Sequence, residues 1–343
     1  MTGNINVSDK DDASIESATV AITTNFVSAE DLLSFTSQNG ITGAYNAATG
    51  ILSLTGNATL AQYQAALHSV TYSNNSENPS AAPRTVSFTI NDGDTNSNTL
   101  LRNIDITPVN DAPVLTTIEI PPVSFTEDGL PAVLTSSINI ADADDINIES
   151  ATVSITNNFT DSEDLLNFID QNGITGAYDT TTGILSLTGS ATLANYQTAL
   201  QSVTYANTSD NPTILPRTVS FIVNDGDDDA LSETRNIDII PVNDPPQATN
   251  GNVTATEDTP FIFSGAHFGF SDPADSNNFA AIIVNTLPAA GTLELNGIPV
   301  SQNQPISITD ITNNKLVYTP APDQNGVAAV SYTHLTLPTI CSV

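Results

Sequence analysis

The sequence contains little that could cross-link or anchor it. It has no tryptophan and one cysteine, Cys341, which excludes an internal disulfide framework. No apolar run approaches the roughly 20 residues of a membrane-spanning helix, and the N-terminus "MTGNINVSDKDD" lacks the pattern of a signal peptide. A secreted protein without disulfides needs another source of stability, and bound metal is the usual one. If the protein is exported, we expect its signal to lie outside this sequence.

Basic residues are also scarce. Six Lys and Arg stand against 38 Asp and Glu, which gives a formal net charge of −32. A field of this sign repels nucleic acid and anionic membranes, so neither is an expected partner, and a compact state would gain from bound cations. The alternative is a salt-adapted or secreted surface whose acids only keep it soluble. Clustering of the acids at repeat-equivalent positions favours bound cations.

What the chain does contain is typical of an all-β protein. Apolar residues make up 39% of the sequence, which is enough to build cores, and most are Ile, Val, Leu and Ala with Thr and Ser between them. A length of 343 residues suggests two or three domains.

A long internal repeat sets the organisation. Residues 8–113 align with residues 141–246 without a gap, at an offset of 133, and 70 of the 106 aligned positions are identical. Shared segments include "QNGITGAY", "TGILSLTG" and "PRTVSF". A repeat of this length is itself a domain, so the chain is predicted to be a tandem array of β domains.

Each repeat is predicted to be a Greek-key β-sandwich with a short helical insertion. Seven or eight short alternating segments are separated by turn signals. "ITGAYDTTTGILSLTG" is predicted to be a hairpin in which Gly183 adopts positive φ. Leu193, Tyr196 and Leu200 have helical spacing, which predicts a short helix that packs on the core.

A third region begins near Gln247 and shares the "TED" segment at Thr126 and Thr256, but its interior differs. The final "VSYTHLTLPTICSV" lacks the acidic "NDGD" that follows the corresponding strand in both repeats, so we interpret it as a non-native tail. The predicted domains are an N-terminally truncated repeat (1–112), a complete repeat (113–245), a divergent C-terminally truncated repeat (246–330) and the tail (331–343).

The acidic motifs fall where strands of such a sandwich would end. If the termini lie at opposite poles, the linker "PVNDAP" (residues 108–113) meets two acidic loops of the second repeat, and "PVNDPP" (residues 241–246) meets acids of the third region. The first expected group is Asn110, Asp111, Asp142, Asp144, Asp225 and Asp227. The second is Glu127, Asn243, Asp244, Asp272 and Asp275. Asp9, Asp11 and Asp92 form the equivalent set of the first repeat.

Clustered carboxylates of this kind indicate Ca²⁺, which accepts six to eight carboxylate and carbonyl oxygens in flexible geometry. Mg²⁺ requires a smaller octahedral shell, and zinc would require the His and Cys that are almost absent here. Taken alone, "NDGD" is equally typical of an ordinary hairpin turn. In each repeat, however, this motif is predicted to lie beside an acidic linker. The recurrence of that arrangement at a fixed period favours calcium. The Asn-Asp pair of each linker is therefore predicted to share Ca²⁺ between consecutive domains.

These motifs resemble cadherin-like repeats of very large bacterial surface and secreted proteins. "PVNDAP" is similar to the linker "DxNDNAP", "FTEDGLP" to the glutamate motif, "DAD" to "DxD", "VNDGD" to "AxDxG", and "YDTTTGILSL" to "IDxxTGxIxT". The resemblance covers residues 1–330 and implies calcium binding and cell–cell or cell–surface attachment. The family's acidic "DRE" is missing from "TGSATLANYQTAL", and Val109 and Val242 replace a linker aspartate. We therefore expect one or two ions per junction.

The leading hypothesis is a Ca²⁺-stiffened stalk or adhesion region at the cell surface. Its partners would be neighbouring repeats, and beyond them homophilic contacts or cell-surface and matrix ligands. The alternative is a carbohydrate-binding or accessory β-sandwich module of a secreted enzyme, against which the absence of Trp argues. An enzyme is not expected, because no "GxSxG" or "HExxH" occurs. His68, His267 and His334 also share no repeat spacing, and Gln201 stands at the position equivalent to His68.

Overall fold

A computed structural model describes residues 4–323, 326 and 328–336, and these form β-strands with a few short helices. The predicted all-β sandwich class with a few short helices is confirmed, whereas the division into tandem Greek-key domains stays a prediction. The first repeat contains β1 (Ser14–Thr24), β2 (Asp31–Ser34), β3 (Thr42–Asn46), β4 (Ile51–Thr59), α1 (Leu60–Ser69), β5 (Thr71–Asn74), β6 (Arg84–Asn91) and β7 (Leu100–Ile104).

The first repeat packs a five-stranded sheet, in the order β3-β4-β1-β6-β7, with the β2-β5 pair. Strand β1 is central because every second residue along most of its length is apolar and buried. Val20 lies opposite Leu52 on one side and Phe88 on the other, and all three side chains are buried. The core of this repeat therefore lies under the middle of the large sheet.

Helix α1 is the predicted insertion. Thr59 caps its first turn by a capping box, in which Thr59 Oγ1 accepts from the Gln62 N–H at 3.3 Å and Gln62 Oε1 accepts from the Thr59 N–H at 2.9 Å. Tyr63, Ala66 and Leu67 lie on one face and are buried. Burial of this apolar face fixes the helix on the core, since ten residues are too few for an independently stable helix.

The second repeat has the same elements at the expected offset. Its predicted helix and hairpin are confirmed, with Gly183 at φ 72°. The elements are β8 (Val114–Thr116), β9 (Val123–Thr126), β10 (Ala132–Val133), β11 (Asn139–Ala141), β12 (Asn147–Asn157), β13 (Asp164–Asn167), β14 (Thr175–Asp179), β15 (Ile184–Thr192), α2 (Leu193–Ser202), β16 (Thr204–Asn207), β17 (Arg217–Asn224) and β18 (Glu233–Ile240).

The large sheet of the second repeat runs β14-β15-β12-β17-β18-β9, and a smaller sheet runs β10-β16-β13. Strand β9 is the added edge, and it pairs parallel with β18, with Val123 opposite Ile237. The alternating segment "AVLTSSINI" (residues 132–140) is divided between β10 and β11. The separation arises where Thr135 turns its hydroxyl toward Glu119, at 2.7 Å, instead of continuing the strand pairing.

The third region is a smaller set of sheets around its own core. Its elements are β19 (Gln247–Ala248), β20 (Phe261–Ile262), a 3₁₀ helix (Gly265–Phe268), β21 (Phe270–Ser271), β22 (Phe279–Thr286), β23 (Thr292–Leu295), β24 (Ile298–Pro299), β25 (Pro305–Ser307), α3 (Ile308–Thr312), β26 (Leu316–Thr319) and β27 (Ser331–Thr336). Strand β27 pairs with β22, so residues 331–336 of the predicted tail lie in a sheet. Residues 337–343 lie outside the described residues, and the assignment of the tail stays a prediction.

Contacts divide the chain into two compact units. The first comprises Met1–Leu115, Ile140–Glu149 and Val223–Leu231, and the second comprises Thr116–Asn139, Ser150–Ile222 and Ser232–Val343. The acidic loops at one end of the second repeat thus belong to the first unit, together with the linker that precedes them. The domain boundaries inferred from the repeat stay a prediction. Among the residues described, no helix is both long and apolar enough to span a membrane.

Candidate cation sites at the two linkers

Each acidic loop of the second repeat begins with an aspartate that closes a turn. Asp142 Oδ1 accepts hydrogen bonds from the N–H groups two and three residues later, at 3.0 and 2.8 Å. Asp225 Oδ1 does the same at 2.8 and 2.7 Å. These turns occupy one oxygen of each carboxylate, and the other oxygen of each lies outside the turn.

The first linker contacts both loops. Asn110 Nδ2 donates to Asp225 Oδ2 at 3.0 Å and to Asp228 Oδ2 at 3.1 Å. The Asp111 N–H lies 3.3 Å from both carboxylate oxygens of Asp144. All of these residues belong to the first compact unit. We call this cluster the first-linker site: Asn110, Asp111, Asp142, Asp144, Asp145, Asp225, Asp227 and Asp228.

Negative charge in the first-linker site is incompletely neutralised. One carboxylate oxygen from each of Asp142, Asp144 and Asp145 lies within 4.8 Å of the others. Desolvation raises the pKa of Asp144, and Asp142 and Asp111 raise it further, against the hydrogen bond from the Asp111 N–H. Desolvation likewise raises the pKa of Asp145, with a contribution from neighbouring aspartates. Asp142 Oδ2 is buried and has no hydrogen-bond partner.

The first repeat builds the same pair of loops at its own acidic end. Asp9 Oδ1 accepts from the N–H groups two and three residues later, both at 3.0 Å, and Asp92 Oδ1 accepts equivalently at 2.9 and 2.8 Å. Desolvation raises the pKa of Asp12, and the charges of Asp92 and Asp11 raise it further. Both repeats therefore have the same pair of aspartate turns.

Glu127 is the most enclosed acid at the second linker. It follows β9, is only 3% exposed, and its Oε2 accepts the Val242 N–H at 2.6 Å. Its Oε1 is buried without a hydrogen-bond partner. Burial raises the pKa of Glu127, and Asp244 and Asp275 raise it further, although the Val242 N–H opposes the shift.

Residues of the second linker hold the other acids of this cluster. The Asp244 N–H donates to Asp275, and Asn243 Oδ1 accepts from Asn277 Nδ2 at 2.9 Å. Asp272 Oδ1 accepts from the Asp275 N–H at 3.2 Å, whereas Asp272 Oδ2 is buried without a partner. All lie in the second compact unit. We call this cluster the second-linker site: Glu127, Asp128, Asn243, Asp244, Asp272, Asp275 and Asn277.

The donors of both sites fit a hard divalent cation. Glu127 Oε1, Asp142 Oδ2 and Asp272 Oδ2 are buried carboxylate oxygens with no hydrogen-bond partner, and an ionised group in that state is costly unless a cation neutralises it. The surrounding groups are carboxylates, amides and backbone carbonyls, which suit Ca²⁺. Sequence reasoning placed most of these acids but left Asp128, Asp145, Asp228 and Asn277 out of the candidate set. The runs "TED", "DADD" and "NDGDDD" were the available signals for the three aspartates.

Sequence reasoning also missed a buried ion pair that occurs in both repeats. Arg84 Nε lies 3.2 Å from Asp31 Oδ1 in the first repeat, and Arg217 Nε lies 3.2 Å from Asp164 Oδ2 in the second. Both arginines are 0% exposed. The repetition of "EDLL" and "PRTVSF" was the signal, but the two motifs lie 53 residues apart in each repeat.

The equivalence of His68 and Gln201 has a structural explanation. His68 Nε2 is 2.8 Å from the Ile5 carbonyl, and Gln201 Nε2 donates to the Ile138 carbonyl at 3.0 Å. Ile5 and Ile138 are themselves repeat equivalents. Both side chains therefore join the end of the helix to the segment before the first acidic loop.

Comparison with known protein families and with characterised proteins finds no match. Solved structures do match. The extracellular domain of protocadherin gamma B4 is 13% identical, with a TM-score of 0.25, and the match covers 90% of this chain and 45% of that one. Domains 1–4 of protocadherin gamma B7 are 14% identical, with a TM-score of 0.24 and coverage of 90% and 66%. The C-terminal domain of the Streptococcus pyogenes antigen I/II-family protein AspA is 8% identical, with a TM-score of 0.22 and coverage of 66% and 84%.

Proposed function

We propose that this chain is a calcium-binding, cadherin-like repeat segment of a large bacterial extracellular protein, acting as a stalk or adhesion region. The observation that supports it best is the set of three buried, unpartnered carboxylate oxygens at the two linkers. The proposal assigns the chain no catalytic role, and it takes neighbouring repeats as the first partners, with homophilic contacts or surface and matrix ligands beyond them.

The residues of each linker site would hold the cation between them. Bound Ca²⁺ would supply the positive charge that these carboxylates lack within the described residues. At the first linker the aspartate turns fix the two loops, and Asn110 and the Asp111 N–H contact both of them. At the second linker Glu127 adds a carboxylate from the end of β9. A linker held in this way would lose freedom, which is what a stalk requires.

Thermal unfolding of the full chain in Ca²⁺, in Mg²⁺ and in chelator tests the proposal. Extracellular calcium modules bind at about 10⁻⁴–10⁻³ M, so a tenfold excess of ion over Kd should stabilise by about 1.4 kcal/mol per site. We expect a calcium-selective rise in Tm that is reduced in Asp111→Ala and Asp144→Ala. Equal melting curves in the three conditions would leave an acidic sandwich without a cation function.

A further inference from the structure

The loop between β5 and β6, residues 75–83, reaches the acidic loop of the second repeat. Asn78 Nδ2 donates to the backbone carbonyl of Asp144 at 3.1 Å, across 66 residues of sequence. Both residues belong to the first compact unit. Asp144 is thus held from outside its own loop at two points, since its carboxylate accepts from the linker Asp111 N–H and its carbonyl accepts from Asn78. We call residues 75–83 the brace loop.

One end of the brace loop is tied to the buried core. Asn74 Nδ2 donates to Asp31 Oδ1 at 2.9 Å, and Asn74 Oδ1 accepts from the Ser76 N–H at 2.9 Å. Ser76 Oγ then accepts from the Asn78 N–H at 3.2 Å. A continuous path of hydrogen bonds therefore leads from the carboxylate of Asp31 to Asn78.

The other end of the brace loop is tied to the same ion pair. Arg84 Nη1 donates to the carbonyls of Ser80 and Ala82 at 2.7 and 2.8 Å, while its Nε contacts Asp31. Because Asp31 and Arg84 are almost fully buried, both ends of the loop are fixed to rigid groups. Because the loop is short and both of its ends are fixed, the buried core determines where Asn78 lies. Asn78 in turn contacts the Asp144 carbonyl.

The second repeat has the same loop, residues 208–216, with a different tip. Asn207, Ser209 and Asn211 repeat the hydrogen-bond path, at 2.9 and 3.1 Å, and Arg217 Nη1 donates to Thr213 and Leu215 carbonyls. Asn211, the counterpart of Asn78, is exposed. No hydrogen bond from its side chain to the second-linker site occurs within the described residues. Both repeats therefore anchor this loop in the same way. Of the two equivalent asparagines, Asn78 is the one that donates a hydrogen bond to an acidic loop.

We propose that Asn78 is a positioning residue for the first-linker site, which holds the backbone of Asp144 so that residues 142–145 keep the arrangement that accepts a cation. The buried Asp31–Arg84 pair keeps Asn78 in place. This inference rests on the proposed calcium function of the same site. It adds a contribution from the preceding repeat that lies outside the linker and outside the acidic loops.

The test compares Asn78→Ala with Asn211→Ala in the full chain. Calcium affinity is measured by calorimetric titration, and hydrogen exchange in chelator is measured at the amides of Asp144 and Asp145. The amides of Asp227 and Asp228 serve as an internal control, since they are bonded to Asp225 at the same site but do not contact Asn78. Loss of one exposed hydrogen bond should weaken calcium binding at one site by about two- to fivefold.

Support would be that weakening in Asn78→Ala together with severalfold faster exchange at Asp144 and Asp145 only, while Asn211→Ala behaves as wild type. Unchanged affinity and exchange in Asn78→Ala would overturn the inference and leave the proposed function standing. Equal loss of Tm in chelator and in Ca²⁺, without a change in affinity, would assign Asn78 a structural role and also overturn it. A wild-type chain that binds no Ca²⁺ would remove the proposed function, and the inference with it.

Discussion

Asp31 and Glu127 are equally buried, each 3% exposed, but their surroundings differ. Asp31 receives the Arg84 guanidinium and hydrogen bonds from Tyr72, Asn74 and the Val27 N–H. Burial opposes ionisation of Asp31, yet these donors outweigh it and lower its pKa. Glu127 has one N–H donor and acidic neighbours, and its pKa is raised. The core carboxylate has a counter-charge within the chain, whereas among the described residues no basic side chain forms an ion pair with the linker carboxylate.

The largest effect is expected when the counter-charge of a core carboxylate is removed. Arg217→Met leaves Asp164, the counterpart of Asp31, buried and unpaired, which should cost about 3–5 kcal/mol. Because the pair lies in the core, the loss should be similar in Ca²⁺ and in chelator. Unfolding followed by circular dichroism measures it. Arg102→Met, at an exposed arginine, is the matched control and should change stability by less than about 0.5 kcal/mol.

A smaller loss is expected from Tyr205→Phe, which removes one donor to Asp164 but keeps the arginine. A hydrogen bond to a charged group contributes about 1.5–3 kcal/mol. The loss should again be independent of calcium. Unfolding of this variant in Ca²⁺ and in chelator is the measurement, and a loss seen only in Ca²⁺ would show that the core network of the second repeat is coupled to a cation site.

The effect of Glu127→Gln on Tm should have opposite signs in chelator and in Ca²⁺. In chelator the variant loses a charge that its neighbours disfavour, so Tm should rise by about 2–4 °C for about 1 kcal/mol. In Ca²⁺ it lacks a ligand oxygen, so Tm should fall by a similar amount. Glu257→Gln is the control, because Glu257 occupies the same "TED" motif but is exposed. A loss of the same size in both conditions would contradict the contrast between core and linker.

The smallest expected effect is a dependence of Tm on pH when calcium has been removed by a chelator. The raised pKa values of Glu127, Asp144 and Asp244 mean that the folded state keeps protons which the unfolded state has released. Their stabilisation is complete below the unfolded carboxyl pKa, about 4, and is lost as pH rises through the raised values. The Tm in chelator should therefore fall as pH rises above the unfolded carboxyl pKa of about 4, with a shallower slope in Glu127→Gln. An equal slope in the variant would contradict the assigned shift.

The lowered pKa values of Asp31 and Asp225 affect stability in a different, more acidic pH range. Their stabilisation is present above the unfolded carboxyl pKa and is lost only as pH falls through the lowered values. Calcium requires ionised ligands, so its contribution should grow as pH rises. Melting curves in Ca²⁺ and in chelator should therefore diverge toward neutral pH.

Local patterns and the repeat predicted much of the fold and the place of the acids. Helix α2 follows from the spacing of Leu193, Tyr196 and Leu200, and the hairpin at Gly183 follows from its turn residues. The convergence of Asp111 on Asp144 follows from the position of the strand ends in a sandwich. These features depend on neighbouring residues or on topology, which a sequence displays directly.

The remaining features depend on pairs of residues distant in sequence. Arg84 and Asp31 lie in separate motifs, and neither motif alone predicts a buried charge. Asn78 stands in a polar loop of ordinary composition, and only its place in three dimensions brings it to Asp144. The unpartnered oxygen of Glu127 could not be predicted either, since it depends on the burial of Glu127 beside Val242, which is 115 residues away in sequence.

Equilibrium dialysis of the full chain against Ca²⁺ tests the central claim most directly, because it counts the ions that the linker sites hold. We predict saturable binding of at least one ion per linker in the range of about 10⁻⁴–10⁻³ M. Binding at the second linker should weaken in Glu127→Gln and stay unchanged in Glu257→Gln. Absence of saturable binding, or equal binding by both variants, would contradict the account.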